Sequence, residues 1–289
     1  MELTRGTVLK AGAGVAAAAV MALGLLVVPA QSVSPVAETP AAWNHNPASA
    51  IGPENWGQIG YPTCSQGTHQ SPVDIATGAV AAVGGAPLLL RYEELELEVE
   101  NTGHVVEVPV PAGVHNTLRI GGDLYEMSQF HFHAPSEHAI DGVRADVEAH
   151  FVHVDAHGDI AVVGVLYRVG PHPNEVLDQI LSAAPEVAGE EAPAGAGNPA
   201  ELLAGIEGIA LKHQGAVKVD SFYSYDGSLT TPACAEHVRW LVLMDGGQVS
   251  ADDVAHLHDV IAQFPGYAGF ADNNRPLQPL NGRVVTSPR

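Results

Sequence analysis

Short runs in which apolar and polar residues alternate, or in which Val, Leu and Ile follow one another, recur along the chain between Gly, Pro and Asn. The clearest are LLLRYEELELEVEN, HVVEVPV, MSQFHFH, VEAHFVHVD, IAVVGVLYRVG, AVKVDSFYSY and VRWLVLMD. Spacing of this kind predicts strands in a β-rich single domain. Helical signals are few and peripheral. Asn174 to Ala184 forms one predicted helix, Asn198 with Pro199 gives the cap and first residue of another, and Ser250 with Asp253 makes a capping-box start. After that start Val254, Leu257, Val260, Ile261 and Phe264 recur near helical spacing, which marks a packing stripe and not a cofactor site. The stretch APEVAGEEAPAGAGNPA has almost no large apolar residue, so about 185–200 is expected to be a mobile surface insertion without chemistry.

The N-terminus breaks this pattern. Arg5 and Lys10 precede an almost uncharged run from Ala11 to Ala30, and Val28 and Ala30 fit the small-residue cleavage rule, so 1–30 has the form of a secretory signal peptide. The same run is just long enough for an uncleaved membrane anchor, which needs ~18 apolar residues. A Pro/Ala/Ser linker at 31–42 then leads into a folded domain at 43–289. The protein is thus expected to be secreted or periplasmic, with no stable membrane association once the signal is removed.

Charge and cysteine usage fit that setting. The formal net charge is -21; without Glu2, Arg5 and Lys10 the 33 acidic and 12 basic residues become 32 and 10, a net of -22. Nucleic acid and anionic membrane surfaces are poor partners for such a chain. Two cysteines, Cys64 and Cys234, entering an oxidising compartment are expected to pair, the alternative being two free buried thiols. A bridge over so long a loop would add roughly 4 to 5 kcal/mol in the chain-entropy model.

Two of the strand-like runs carry histidines where core residues would be expected. Alternate residues of a strand share a face, so Gln129, His131 and His133 look one way while Phe130 and Phe132 look the other. Two imidazoles do not close a tetrahedral zinc site, which needs a third protein ligand if catalytic and a fourth if structural. VEAHFVH supplies one: Glu148, His150 and Val152 share a face of a second strand. The short connection from Ala134 to Ala145 lets the two strands lie antiparallel and adjacent, bringing His150 toward His131 and His133. Three neutral imidazoles would then bind Zn2+ with one position left for water. Ligating histidines donate their other ring N–H to a carboxylate or carbonyl, and Gln129 and Glu148 each stand two residues from a ligand on its own face. A carboxylate on a buried strand face is otherwise costly. With 15 histidines in the chain, chance spacing or passive metal storage is the competing reading. His138 and His153 are expected to serve as hydrogen-bonded structural residues.

These stretches, with GPENW, QSPVDI, NTGHVVEV, QFHFHAPSEH, AVVGVLY, YDGSLTTPAC, VRWLVL and NNRPLQPLN, run in order from about Trp43 to Arg283, and in them the chain resembles the α-class carbonic anhydrases, particularly bacterial secreted members. The resemblance implies an α+β, predominantly β single domain on a large twisted, mainly antiparallel central sheet with a few short peripheral helices. It implies a lyase in which zinc-bound hydroxide, held through His131, His133 and His150, reversibly hydrates CO2 to bicarbonate and a proton. Thr230 is implied to accept a hydrogen bond from the hydroxide and to pass its own proton to Glu137, since an ionised carboxylate only accepts. Val152, Val162, Leu229, Thr231, Val238 and Trp240 are implied to line the substrate pocket. His104 is implied to shuttle protons, a task that suits an imidazole with a pKa of ~6.5. A Cys64–Cys234 bridge would tether the Thr230 loop to the N-terminal part of the chain. A homodimer is expected by analogy with bacterial relatives.

Some positions depart from the family pattern. His45 follows Trp43 by two residues where a tyrosine is usual, Thr102 and Glu107 replace pocket amides, and Ala233 follows Pro232 where a second proline is common. A non-prolyl cis bond costs ~3 kcal/mol, so that turn is either trans or strained. No departure removes a ligand. The rival functions are a catalytically silent binding module of the same fold, a zinc hydrolase of activated esters and a periplasmic zinc-binding buffer; the intact His131, His133, His150, Thr230 and Glu137 favour the lyase.

Overall fold

The computed structural model describes residues 42–211 and 216–288, so the signal peptide and nearly all of the linker expected before residue 43 lie outside the described residues. In chain order the main elements are β1 (Leu88–Arg91), β2 (Leu95–Asn101), β3 (Val106–Pro109), β4 (Thr117–Ile120), β5 (Asp123–His133), β6 (Val147–Asp155), β7 (Ile160–Val169), helix α1 (Glu175–Ser182), β8 (Glu191–Gly197), β9 (Ala216–Val219), β10 (Phe222–Ser228), β11 (Glu236–Leu243) and helix α2 (Ala251–Ala262). Together with shorter strands they form a 14-stranded sheet among the described residues, whose main path runs β8-β2-β3-β5-β6-β7-β11-β10. Neighbours along that path are antiparallel except β7 and β11, which are parallel. The fold is therefore the predominantly β architecture expected, with a mixed and mainly antiparallel sheet.

Alternation in the sequence becomes the two sides of the sheet. In β2, Leu95, Leu97 and Val99 are buried while Glu96 and Glu98 are exposed. Phe130 and Phe132 of β5 and Phe151 of β6 sink into the larger core, where Val176, Leu177, Ile180 and Leu181 of α1 and Leu257, Val260 and Ile261 of α2 cover them. Both helices start where the sequence places caps: the Asn174 side chain accepts from the N–H groups of Val176 and Leu177, and Ser250 Oγ accepts from Asp253 N–H at 3.0 Å. A second, smaller core on the opposite side gathers Val73, Ile75, Val162, Tyr223, Tyr225, Val238, Trp240, Val242 and Val285.

Composition misleads at one segment. The insertion expected at about 185–200 contains β8, an edge strand that pairs antiparallel with β2, with Glu191 opposite Glu100 and Gly197 opposite Leu95. It is held by main-chain hydrogen bonds, which need no large apolar side chain. Small residues are what the place requires: a Cβ on Gly197 would come within 2.7 Å of Leu97 Cδ1. The helix expected from Asn198 is one short 3-10 helix, Pro199–Leu203, whose cap is the Asn198 side chain accepting from Ala200 N–H at 2.9 Å. The Pro232–Ala233 bond is cis. Cys64 and Cys234 form a disulfide, packed with Trp56.

Candidate metal centre

β5 and β6 pair antiparallel in the register the sequence requires, with His150 opposite His131 and Glu148 opposite His133. Ring centroids lie 5.0 Å apart for His131 and His133, 5.2 Å for His131 and His150 and 4.6 Å for His133 and His150. One nitrogen from each ring falls within 4.8 Å of the other two. His133 and His150 are buried and His131 is half-buried, so the cluster opens to one side only.

Each ring is held through a nitrogen that points away from the cluster. His131 Nδ1 lies 2.8 Å from Gln129 Oε1, and His133 Nδ1 lies 2.9 Å from the carbonyl oxygen of Asn273. His150 Nε2 lies 3.0 Å from Glu148 Oε1. That leaves Nε2 of His131 and His133 and Nδ1 of His150 for a shared partner. Burial, reinforced by the neighbouring imidazoles, holds His131 well below the ordinary histidine pKa, and burial also lowers His133. Both are neutral near pH 7, the form that ligates metal.

Glu148 is the hub beneath the cluster. Its Oε2 accepts the backbone N–H groups of Glu137 and His138, each at 2.9 Å, and its Oε1 lies 2.8 Å from His138 Nδ1. Burial alone would raise its carboxyl, but His138 and His150 more than offset this and hold it well below the usual carboxylate range. Gly164 of β7 lies opposite His150, and a Cβ there would meet Glu148 Oε1 at 2.9 Å. His138, Glu148 and His150 are also close enough to surround a cation. That trio has no capacity left, because His138 Nε2 lies 2.7 Å from Tyr225 Oη and both Glu148 oxygens already face donors. His138 and His153 are structural as expected: His153 lies between Tyr92 Oη at 2.8 Å and the Phe151 carbonyl at 2.9 Å.

The donor set fits a cation of zinc's preferences. His133 Nε2 and Glu137 Oε2 are buried and make no hydrogen bond, although they stand 3.6 Å apart, and three borderline nitrogen donors with one open direction match a catalytic zinc site. Glu137 Oε1 accepts from Arg275 N–H at 2.8 Å. The Thr230 to Glu137 hydrogen bond implied by the resemblance is not made, because Glu137 Oε2 faces His133 Nε2 and, at 3.9 Å, His150 Nδ1. Thr230 itself is buried, in the turn after β10.

The sheet splits the surroundings into two chemistries. On the row next to the histidines, Gln129 lies opposite Val152, Val152 opposite Val162, and Val162 opposite Trp240. Val162, Val238 and Trp240 are buried, with Val152 and Leu229 packed on them, so these five predicted pocket residues share one apolar cluster; Thr231, two positions after Leu229, is half-buried. The other wall is polar, with Glu107 of β3 opposite His131.

Three contributors escape periodicity. Asn273 is buried, orients His133 through its carbonyl, accepts from Ala134 N–H at 2.9 Å, and donates to the Phe132 and His104 carbonyls. Arg275 is buried and donates to the Ser71 and Cys64 carbonyls at 2.7 and 2.8 Å. Both belong to NNRPLQPLN, which forms no regular element, so only the polar residues of that stretch signal them. His45 is buried with Nδ1 2.5 Å from Tyr267 Oη, its ring 6.5 Å from that of His133. His104 stacks on Trp43, with centroids 3.7 Å apart and planes 9° apart, and burial lowers its pKa to about 4.

A strand-rich fold around three imidazoles that could hold a metal ion, with an apolar wall on one side, narrows the class, and comparison with known proteins gives the family. The family model for eukaryotic-type carbonic anhydrase matches residues 51–289, and the chain belongs to that family. A carbonic anhydrase of Neisseria gonorrhoeae is 38% identical over 236 residues, covering 81% of this chain and 83% of the relative. One from Klebsiella pneumoniae is 32% identical over 266 residues, covering 91% and 98%. Among solved structures, the α-carbonic anhydrase of Thermovibrio ammonificans, in complex with the inhibitor sulfanilamide, superposes with a TM-score of 0.73 at 35% identity, covering 85% of this chain and 99% of that one.

Proposed function

We propose that this chain reversibly hydrates CO2 to bicarbonate and a proton, with one Zn2+ held by His131, His133 and His150. The observation that carries this reading is the set of three clustered imidazoles, of which His131 and His133 are held by hydrogen bonds of their outward nitrogens to Gln129 and Asn273, while His150 Nε2 stands 3.0 Å from Glu148 Oε1. When bound in such a site, zinc is a Lewis acid that brings the pKa of a water to about 7, a value drawn from carbonic anhydrases themselves.

The residues then divide the work. Gln129, the Asn273 carbonyl and Glu148 fix the tautomer and tilt of each imidazole. Glu137 would accept from the Thr230 hydroxyl only once Oε2, now buried without a hydrogen bond and facing His133 and His150, turns toward it. Thr230 donates to it and keeps its lone pairs to orient the nucleophile. Val152, Val162, Leu229, Val238 and Trp240 give a nonpolar substrate a place where water does not compete, with Thr231 at its edge. His104 carries protons outward after its ring leaves Trp43 for water, where its pKa returns toward ~6.5. Residues 43–289 form the catalytic domain, and the N-terminal segment directs it outside the cytoplasmic membrane.

Stopped-flow CO2 hydration by the purified protein with one equivalent of zinc tests the proposal. His150→Ala should lose both metal and rate, and His104→Ala should lower turnover with partial rescue by added imidazole. A wild-type protein that binds zinc stoichiometrically yet shows no hydration above buffer would refute it.

A further inference from the structure

The polar wall carries an unusual charge. Glu191 of β8, Glu100 of β2, Glu107 of β3 and His131 of β5 pair in succession, so three carboxylates stand in one row that ends at the histidine cluster. Paired residues on adjacent strands share a face. Val106 and Val108, on either side of Glu107, are buried on the opposite face, which places Glu107 with His131 and Gln129. Glu191 is exposed, while Glu100 and Glu107 are half-buried. No described basic side chain forms a salt bridge with any of the three.

We propose that Glu107, backed by Glu100 and Glu191, determines ligand specificity at this site by disfavouring anions relative to neutral molecules. The proposal rests on the cation site read above. CO2 is uncharged and passes the carboxylate row without penalty. Bicarbonate and other small anions meet a like charge where an amide would be neutral, so they bind more weakly and the product is released more readily.

Calorimetric titration of the zinc-loaded protein at pH 8.5 and constant low ionic strength, with thiocyanate as the anion and imidazole as the neutral ligand, tests this directly. A unit charge about two strand spacings (roughly 10 Å) away, at an effective dielectric of about 40, changes an anion's binding constant about four-fold. Thiocyanate should therefore bind about four-fold more tightly to Glu107→Gln, with imidazole affinity unchanged, and Glu107→Asp should behave as wild type. Glu100→Gln, farther away, should shift thiocyanate in the same direction by less. Equal thiocyanate affinities in wild type and Glu107→Gln, or an equal shift for imidazole, overturn the proposal while leaving the metal site intact. A wild-type protein that takes up no zinc would instead remove the site reading, and this proposal with it.

Discussion

Cutting the Cys64–Cys234 bridge should cost more stability than any single side chain in the molecule. The bridge joins positions separated by 170 residues. In the chain-entropy model a loop of that length restricts the unfolded chain by about 5 kcal/mol at 25 °C. That is from a third to all of a typical domain's stability of about 5–15 kcal/mol. The loss should also reach the site. Cys234 N–H donates to the Thr231 carbonyl at 2.8 Å, Gln70 donates to the Cys234 carbonyl at 3.1 Å, and Arg275 joins the Cys64 carbonyl to Glu137 through its side chain and its own N–H. Urea unfolding of Cys64→Ser/Cys234→Ser beside wild type, followed by circular dichroism, should show a loss of several kcal/mol and a lower midpoint. CO2 hydration should fall in urea concentrations where the sheet signal is still intact. A loss under about 1 kcal/mol, with activity and global unfolding still coincident, would refute the reasoning that the bridge restrains both chain and Thr230 loop.

Three further outcomes follow from particular contacts. His153 is buried with its pKa lowered to about 4, so the unfolded chain binds its proton first as pH falls from ~6.5 and stability declines from there toward pH 4. His153 alone should make unfolding at pH 4.5 about 2–3 kcal/mol easier than at pH 7, and His153→Gln should lose that part of the slope, leaving the shares of His45, His104, His131 and His133. Glu148→Gln should weaken zinc binding by about 10- to 100-fold in competitive chelator titrations, because His150 loses its charged partner. Gly164→Val should lower zinc affinity in the same assay by pushing Glu148 Oε1 out of reach of His150, since even a single Cβ would stand 2.9 Å from that oxygen.

Much of the centre was legible because a strand's period of two is simple. HxH and ExH on successive strands put ligands and supporting residues on one face, and β5 and β6 then paired in the needed register. The apolar wall was legible only through resemblance, since Val162 and Trp240 are equally good core residues by composition. Asn273 and Arg275 were not legible, because an irregular segment has no periodicity from which to infer direction. β8 was missed for a related reason: main-chain pairing to β2 leaves no mark in a run of Ala, Gly and Pro. The Trp43–His104 stack joins residues 61 positions apart, which local pattern does not encode.

The central claim is one zinc gripped by three imidazoles. Zinc-edge X-ray absorption on protein loaded with one equivalent tests it most directly. The account predicts three histidine nitrogens at about 2.0–2.1 Å and one further light ligand, with the histidine signal lost in His131→Ala and His150→Ala. Zinc bound elsewhere in those variants with an unchanged spectrum, or a carboxylate from Glu137 or Glu148 filling the open position in the wild type, would contradict it.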